Sequence, residues 1–205
     1  MAAALWVLRM QQSRRRRMRR LAQELGASYR GGDRKGFGKR FAELAMWQYG
    51  HSHEISDVLE SGRSGPSYTC FADVLDFGFG RERVRRVHVA AVVGVDHCAA
   101  EVVCVREGHF SACGPHACYE LLAGAAGGAD QWQTDGWQVW SRPGDDAGLV
   151  WERLKGVCGR LSGPYLVETR GKMVAICRPG RNEPDEYRRV IQVGLELACA
   201  LEAEA

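Results

Sequence analysis

No apolar run in this 205-residue sequence reaches the roughly 18–20 residues that a membrane-spanning helix requires, so no such helix is expected within it. Proline is scarce at 6, and the 25 glycines follow no three-residue period, which excludes a collagen-like chain. No sustained heptad pattern argues for a coiled coil. A secretory signal is also lacking. The N-terminal apolar stretch covers only residues 2–8, and the arginines follow it instead of preceding it. The eight cysteines are therefore not read as a disulfide framework. Cys70, Cys104, Cys158, Cys177 and Cys199 lie among apolar neighbours, where a reduced thiol packs as a small hydrophobe, and the expected compartment is the cytoplasm.

Catalytic motifs are absent as well. Asp76-Phe77-Gly78 matches the magnesium-binding tripeptide of protein kinases, but no glycine-rich loop, paired lysine or catalytic loop accompanies it. Asp33 stands where a phosphate-binding loop needs its first glycine, and Arg40 follows Lys39 where that loop needs Ser or Thr. In Gly62-Arg63-Ser64-Gly65 the glycine falls one place early for a nucleophile elbow. The sequence thus points away from an enzyme.

What is present is an ordinary globular composition, 45% hydrophobic and 26% charged, at a length that suits one α+β domain with a mostly antiparallel sheet and helices packed on it. The net charge of +3 conceals a division. Residues 1–40 hold twelve basic and two acidic residues, a net of +10, whereas residues 41–205 hold sixteen basic and twenty-three acidic ones, a net of −7. The expected organisation is a basic N-terminal helix or arm at residues 1–26 followed by an α+β domain at 27–205. Arg14, Arg15, Arg16, Arg17, Arg19 and Arg20 place six guanidinium groups in seven residues, and such crowding demands counter-charge. An anionic membrane surface, an acidic protein partner, nucleic acid or the acidic body itself would supply it. Arginine outnumbers lysine by 24 to 4, a bias that also fits a GC-rich genome.

Periodicity gives the elements. Met18, Leu21, Ala22 and Leu25 form one apolar stripe of a helix that Gly26 would stop. Phe37, Phe41 and Leu44 predict a short helix ending near Met46. Strands are expected at residues 50–62, 67–79, 87–93 and 101–105, with a turn at 81–86, and the last three strands as a consecutive antiparallel meander. Asp73 interrupts the apolar alternation of the second of these. Pro115 would open a helix running to about Ala125. A short strand at 137–140 precedes a helix carrying Val150, Trp151, Leu154, Val157, Cys158 and Leu161, then a hairpin across Arg170-Gly171, then a final helix after Asn182-Glu183-Pro184 with Tyr187, Val190, Ile191, Gly194, Leu195, Ala198 and Leu201 on its buried face.

Cys104, His109, Cys113, His116 and Cys118 carry the ligand types zinc prefers, and a two-residue gap such as Cys113–His116 lets a turn present both to one ion. The set lacks a second paired knuckle, Cys104 belongs to a strand, and His116 and Cys118 diverge if helical. No metal or other cofactor is therefore expected. His51 and His53 share a face if extended, without an identifiable third ligand. His97 and Cys98 point to opposite faces of a strand, which disfavours a nucleophilic dyad. Trp132, Trp137, Trp140 and Trp151 fit core packing better than a stacking platform.

The order of these elements resembles that of uncharacterised bacterial proteins classed as domains of unknown function and commonly tethered by an N-terminal membrane helix. The resemblance rests on residues 15–26, where the arginine run leads into Leu21-Ala22-x-x-Leu25-Gly26, on residues 50–62 with Asp57-Val58-Leu59, on residues 71–79, on Val105-Arg106-Glu107 and on residues 135–161. It implies no activity and no site residues. Residues 2–8 stand where the membrane helix would be, so that helix is expected to be truncated or to begin upstream. Clustered arginines after a short apolar stretch ending near Trp6 look like the cytoplasmic end of a membrane anchor. The expected function is a non-catalytic interaction module at the inner face of the membrane. The alternatives are a nucleic-acid-associated protein using its arginines on phosphates, or a small Cys/His metalloprotein.

Overall fold

A computed structural model describes residues 2–32, 37–48, 52–62, 65–77, 84–106 and 130–203. The chain enters through helix α1 (Ala2–Glu24) and a short strand β1 (Ser28–Arg30). Two 3-10 turns follow, Gly38–Phe41 and Ala45–Gln48. Then come β2 (His53–Glu60), β3 (Tyr68–Phe77), β4 (Val84–Gly94), β5 (Val102–Arg106), β6 (Asp130–Thr134) and β7 (Trp137–Ser141). Helix α2 (Ala147–Cys158), the hairpin β8 (Leu166–Arg170) and β9 (Met173–Pro179), and helix α3 (Pro184–Glu202) complete it.

The nine strands form one antiparallel sheet in the order β1-β2-β3-β4-β9-β8-β5-β7-β6. The expected α+β architecture is therefore present, but the expected meander is not continuous. The late hairpin β8–β9 separates β4 from β5, pairing Val92 with Ala175 on one side and Cys104 with Val167 on the other. β5, buried over Val102–Val105, takes both neighbours from residues later in the chain. The turn expected at 81–86 also extends too far along the chain, since Val84, Arg85 and Arg86 already pair with Phe77, Asp76 and Leu75. Gly171 (φ 57°) turns the β8–β9 hairpin, and Asp135 and Gly136, both with positive φ, turn β6–β7 in the manner of a two-residue hairpin loop.

Alternation along the strands builds two cores. One face, with Cys70, Val89, Ala91, Val93, Val102, Cys104, Val167 and Ile176, lies under the three helices. Gly194 brings α3 close to it: a Cβ there would stand 3.0 Å from a Val93 methyl. The opposite face, with Ile55, Phe71, Leu75, Ala90, Val92, Trp140, Leu166 and Ala175, is covered over part of its width by Phe37, Phe41, Leu44, Ala45 and Met46. That segment, expected as a short helix, is two 3-10 turns, a tighter winding that suits so short a piece. The helix expected from Pro115 lies outside the described residues.

Candidate functional site

Helix α1 spans about 35 Å at 1.5 Å per residue. Arg14, Met18, Leu21, Ala22 and Leu25 repeat at the helical spacing that places them on one side. Met18, Leu21 and Ala22 are buried in the helix-covered core and Leu25 packs against it. Burying Met18 and Leu21 contributes roughly 3–6 kcal/mol, at about 1.5–3 per large side chain, so this part of the helix is docked.

The arginine tract divides accordingly. Arg14 Nη2 lies 3.1 Å from Asp57 Oδ2, and the Asp57 side chain is wholly buried. Asp57 sits in an irregularity of the β2–β3 register with φ of 50°, a left-handed conformation that Asp tolerates. Tyr29 Oη donates to its Oδ1 (2.5 Å) and Asn182 Nδ2 to its Oδ2 (2.9 Å). Burial first, then Asp57, holds the Tyr29 phenol well above its ordinary range. Arg17 Nη1 pairs with Glu183 Oε2 at 2.8 Å, and in return Arg188 Nη2 on α3 pairs with Glu24 Oε2 on α1 at 2.8 Å. The acidic body thus neutralises the flank of the helix.

Arg15, Arg16, Arg19 and Arg20 are exposed and form no ion pair among the described residues. Leu5, Leu8, Gln12, Arg16 and Arg19 recur at three- and four-residue intervals on the side away from the body, with Arg15 at its edge, where its Nε lies 3.8 Å from the place a Cβ on Gly31 would take. At the tip Leu5 is 61% and Trp6 64% exposed, and Leu8 and Met10 are also open to solvent. The outer side of α1 is therefore apolar at its start and basic further along. Among the described residues no helix is long and apolar enough to cross a membrane.

Other candidate chemistry is internal. Cys104 is wholly buried in β5; His109, Cys113, His116 and Cys118 lie outside the described residues, as does His51. Among the described residues no three His, Cys, Asp or Glu side chains come together to hold a metal. His97 and Cys98, expected in a strand, lie in the connection between β4 and β5, where His97 is exposed and Cys98 buried. Trp137, Trp140 and Trp151 are core residues, with Trp137 and Trp140 on opposite faces of the sheet. Cys199 is exposed, although its apolar neighbours suggested burial; it lines a groove of about 530 Å³ between α2, α3 and the end of α1, floored by Leu25, Val157, Ile191 and Leu195.

Two buried carboxylates stand out. Asp73 Oδ2 accepts a hydrogen bond from His53 Nδ1 at 2.6 Å, and the Trp47 ring stacks on the imidazole with centroids 4.6 Å apart. Burial raises Asp73 above the usual carboxylate range against the lowering influence of His53. Its interruption of an apolar strand was the visible signal. Glu168 of β8 is 2% exposed and accepts from the backbone N–H groups of Ala45 (2.6 Å) and Met46 (3.1 Å). Nothing in Leu166-Val167-Glu168-Thr169-Arg170 distinguishes that glutamate from an outward-facing one.

The chain matches no known protein-family model and no curated protein. Its fold is similar to that in the crystal structure of the mycobacterial trehalose monomycolate transport factor A, TtfA, at a TM-score of 0.53 and 13% identity, covering 91% of this chain and 94% of that one. At that identity the likeness is one of fold, and it extends across nearly the whole of both chains.

Proposed function

We propose that this chain is a non-catalytic accessory module that rests on the anionic inner surface of a bacterial membrane through the outer side of α1. The carrying observation is the division of the arginine tract: one side of α1 is locked into the body, while Arg16 and Arg19 face solvent on the side that carries exposed Leu5 and Leu8, with exposed Arg15 and Arg20 at its two edges. An apolar ridge continuous with basic residues suits the headgroup–acyl boundary, where the apolar part inserts and the guanidinium groups meet phosphate. The description of the structural neighbour as a transport factor supports an accessory role, as does the resemblance to bacterial proteins tethered at this end. An acidic protein within a membrane assembly would meet the same surface. Nucleic acid is the second reading, favoured by the bare guanidinium cluster alone; no aromatic residue lies between Arg9 and Leu25 to stack on bases.

Co-sedimentation tests this reading. The full chain should pellet with vesicles containing an anionic lipid, remain in solution with neutral ones, and bind the anionic vesicles in preference to duplex DNA at equal phosphate. Preference for DNA, or equal binding to neutral vesicles, overturns it.

A further inference from the structure

The segment at residues 37–48 lies across one face of the sheet as a strap. Its underside is aromatic: Phe37 and Phe41 contact Phe71 at centroid distances of 5.4 and 5.7 Å, and Trp47 contacts Phe71 at 5.8 Å. It is fastened at three places. Arg40 pairs with Glu60 at 2.8 Å near the start, and Trp47 stacks on the Asp73-bound His53 near the end. Between them the two amides of Ala45 and Met46 bind the two oxygens of Glu168. Beside this central fastening, Arg170 Nη1 donates to the Glu43 carbonyl.

We propose that residues 37–48 form a proton-governed strap, closed most firmly while the Glu168 carboxyl is neutral and loosened when it ionises. Closing the strap removes Glu168 from water, and an ionised carboxylate loses far more hydration than a neutral one. The amides of Ala45 and Met46 and the Arg170 guanidinium favour the ion, whereas burial and the Glu101 carboxylate oppose it. Burial prevails and pushes Glu168 up to about 7, above the 4.5 of the same group in water. The other titratable and charged groups about the strap are Glu43, 4.0 Å from the Arg170 guanidinium, Arg40, paired with Glu60, the His53–Asp73 pair at its far end, and Cys177 in the core beneath it.

The sign follows from linkage. The closed form binds the Glu168 proton more tightly than an open form in which water reaches it. Closure is therefore at full strength below about pH 4.5 and weakens as pH rises through about 7. If opening restores the ordinary value, the opening constant grows by at most roughly 300-fold across that window. Asp73, also raised by burial, shifts the balance in the same direction.

Amide hydrogen exchange of the full chain, followed by NMR and corrected for the intrinsic pH dependence of exchange, reads this opening. Between pH 5 and pH 8 the protection of Ala45 and Met46 should fall by tens-fold, at most about 70-fold from Glu168, while that of Val92 and Ala175 in the sheet centre stays constant. Glu168→Gln should remove most of the change and Asp73→Asn should retain the greater part of it. Equal protection at both pH values, a parallel loss at Val92 and Ala175, or a pH response that survives Glu168→Gln overturns the proposal. The carboxyl carbon of Glu168 in the unsubstituted chain gives a readout that does not depend on a variant folding: a titration midpoint near 7 supports it, and one at or below 4.5 overturns it.

Discussion

Asp57→Asn tests how α1 is held. The substitution preserves side-chain size and suits the φ of 50°, because Asn tolerates the left-handed region as Asp does. It removes the charge that Arg14 meets at 3.1 Å and turns one acceptor oxygen into a donor, which faces either the Tyr29 hydroxyl or the Asn182 amide. Losing one partner of a buried pair costs about 3–5 kcal/mol when the remaining charge is trapped. Here Arg14 retains one third of its exposure and can turn partly to water, so the expected cost falls to about 2–3 kcal/mol. Arg14→Gln should cost at least as much as Asp57→Asn, since the charge it leaves unpaired, on Asp57, is wholly buried, although Tyr29 and Asn182 still donate to it. Urea unfolding of both single variants and the double variant gives the coupling, expected at about 1–2 kcal/mol. A coupling below about 0.5 kcal/mol refutes the reasoning, and would leave Met18, Leu21 and Ala22 as the whole of the attachment.

Further expectations bear on the core. Ile191, 3% exposed on α3, should cost about 2–5 kcal/mol on replacement by Ala, read from the urea midpoint; a loss under about 0.5 kcal/mol would place α3 outside the core. Burial holds the Cys70, Cys104 and Cys177 thiols well above their ordinary range and pushes Cys98 to about 11 and Cys158 to about 12, whereas Cys199 is exposed. Iodoacetamide at pH 7.5 should therefore modify Cys199 at least about tenfold faster than these five, as mapped on peptides by mass spectrometry. Comparable native labelling of Cys104 or Cys177 would contradict the closed sheet faces.

Elements with a clean period were legible in the sequence. Met18, Leu21 and Ala22 are buried as their spacing required, and so are Tyr187, Val190, Ile191, Gly194, Ala198 and Leu201 of α3. Strand order was not, because alternation reports which face a residue occupies and not which strand lies alongside. Val87–Val93 and Val102–Val105 read as neighbours by proximity in the chain, but β8 and β9 stand between them. Edge strand β6, Asp-Gln-Trp-Gln-Thr, was missed because its only large apolar residue is Trp132. The six-arginine cluster was plain, yet its division was not: Arg14 and Arg17 are distinguished from Arg15 and Arg16 only by the distant Asp57 and Glu183. Glu168 was invisible for the same reason, since its partners are backbone amides more than a hundred residues away.

The central claim is that α1 has a docked side and a separate, working basic side. Replacing Arg15, Arg16, Arg19 and Arg20 together by Gln tests it most directly, because these side chains are exposed and the thermal midpoint should not move. Each arginine contributes roughly 1 kcal/mol near an anionic surface, so the four together are worth about 4 kcal/mol, or on the order of a thousandfold in affinity at low salt. The partition of the full-length variant onto anionic vesicles, measured beside the parent at about 0.02 M and 0.15 M salt, should show that loss at low salt and a smaller one at the higher, where charges are screened within about 8 Å. Unchanged partition, or a loss independent of salt, would contradict the account.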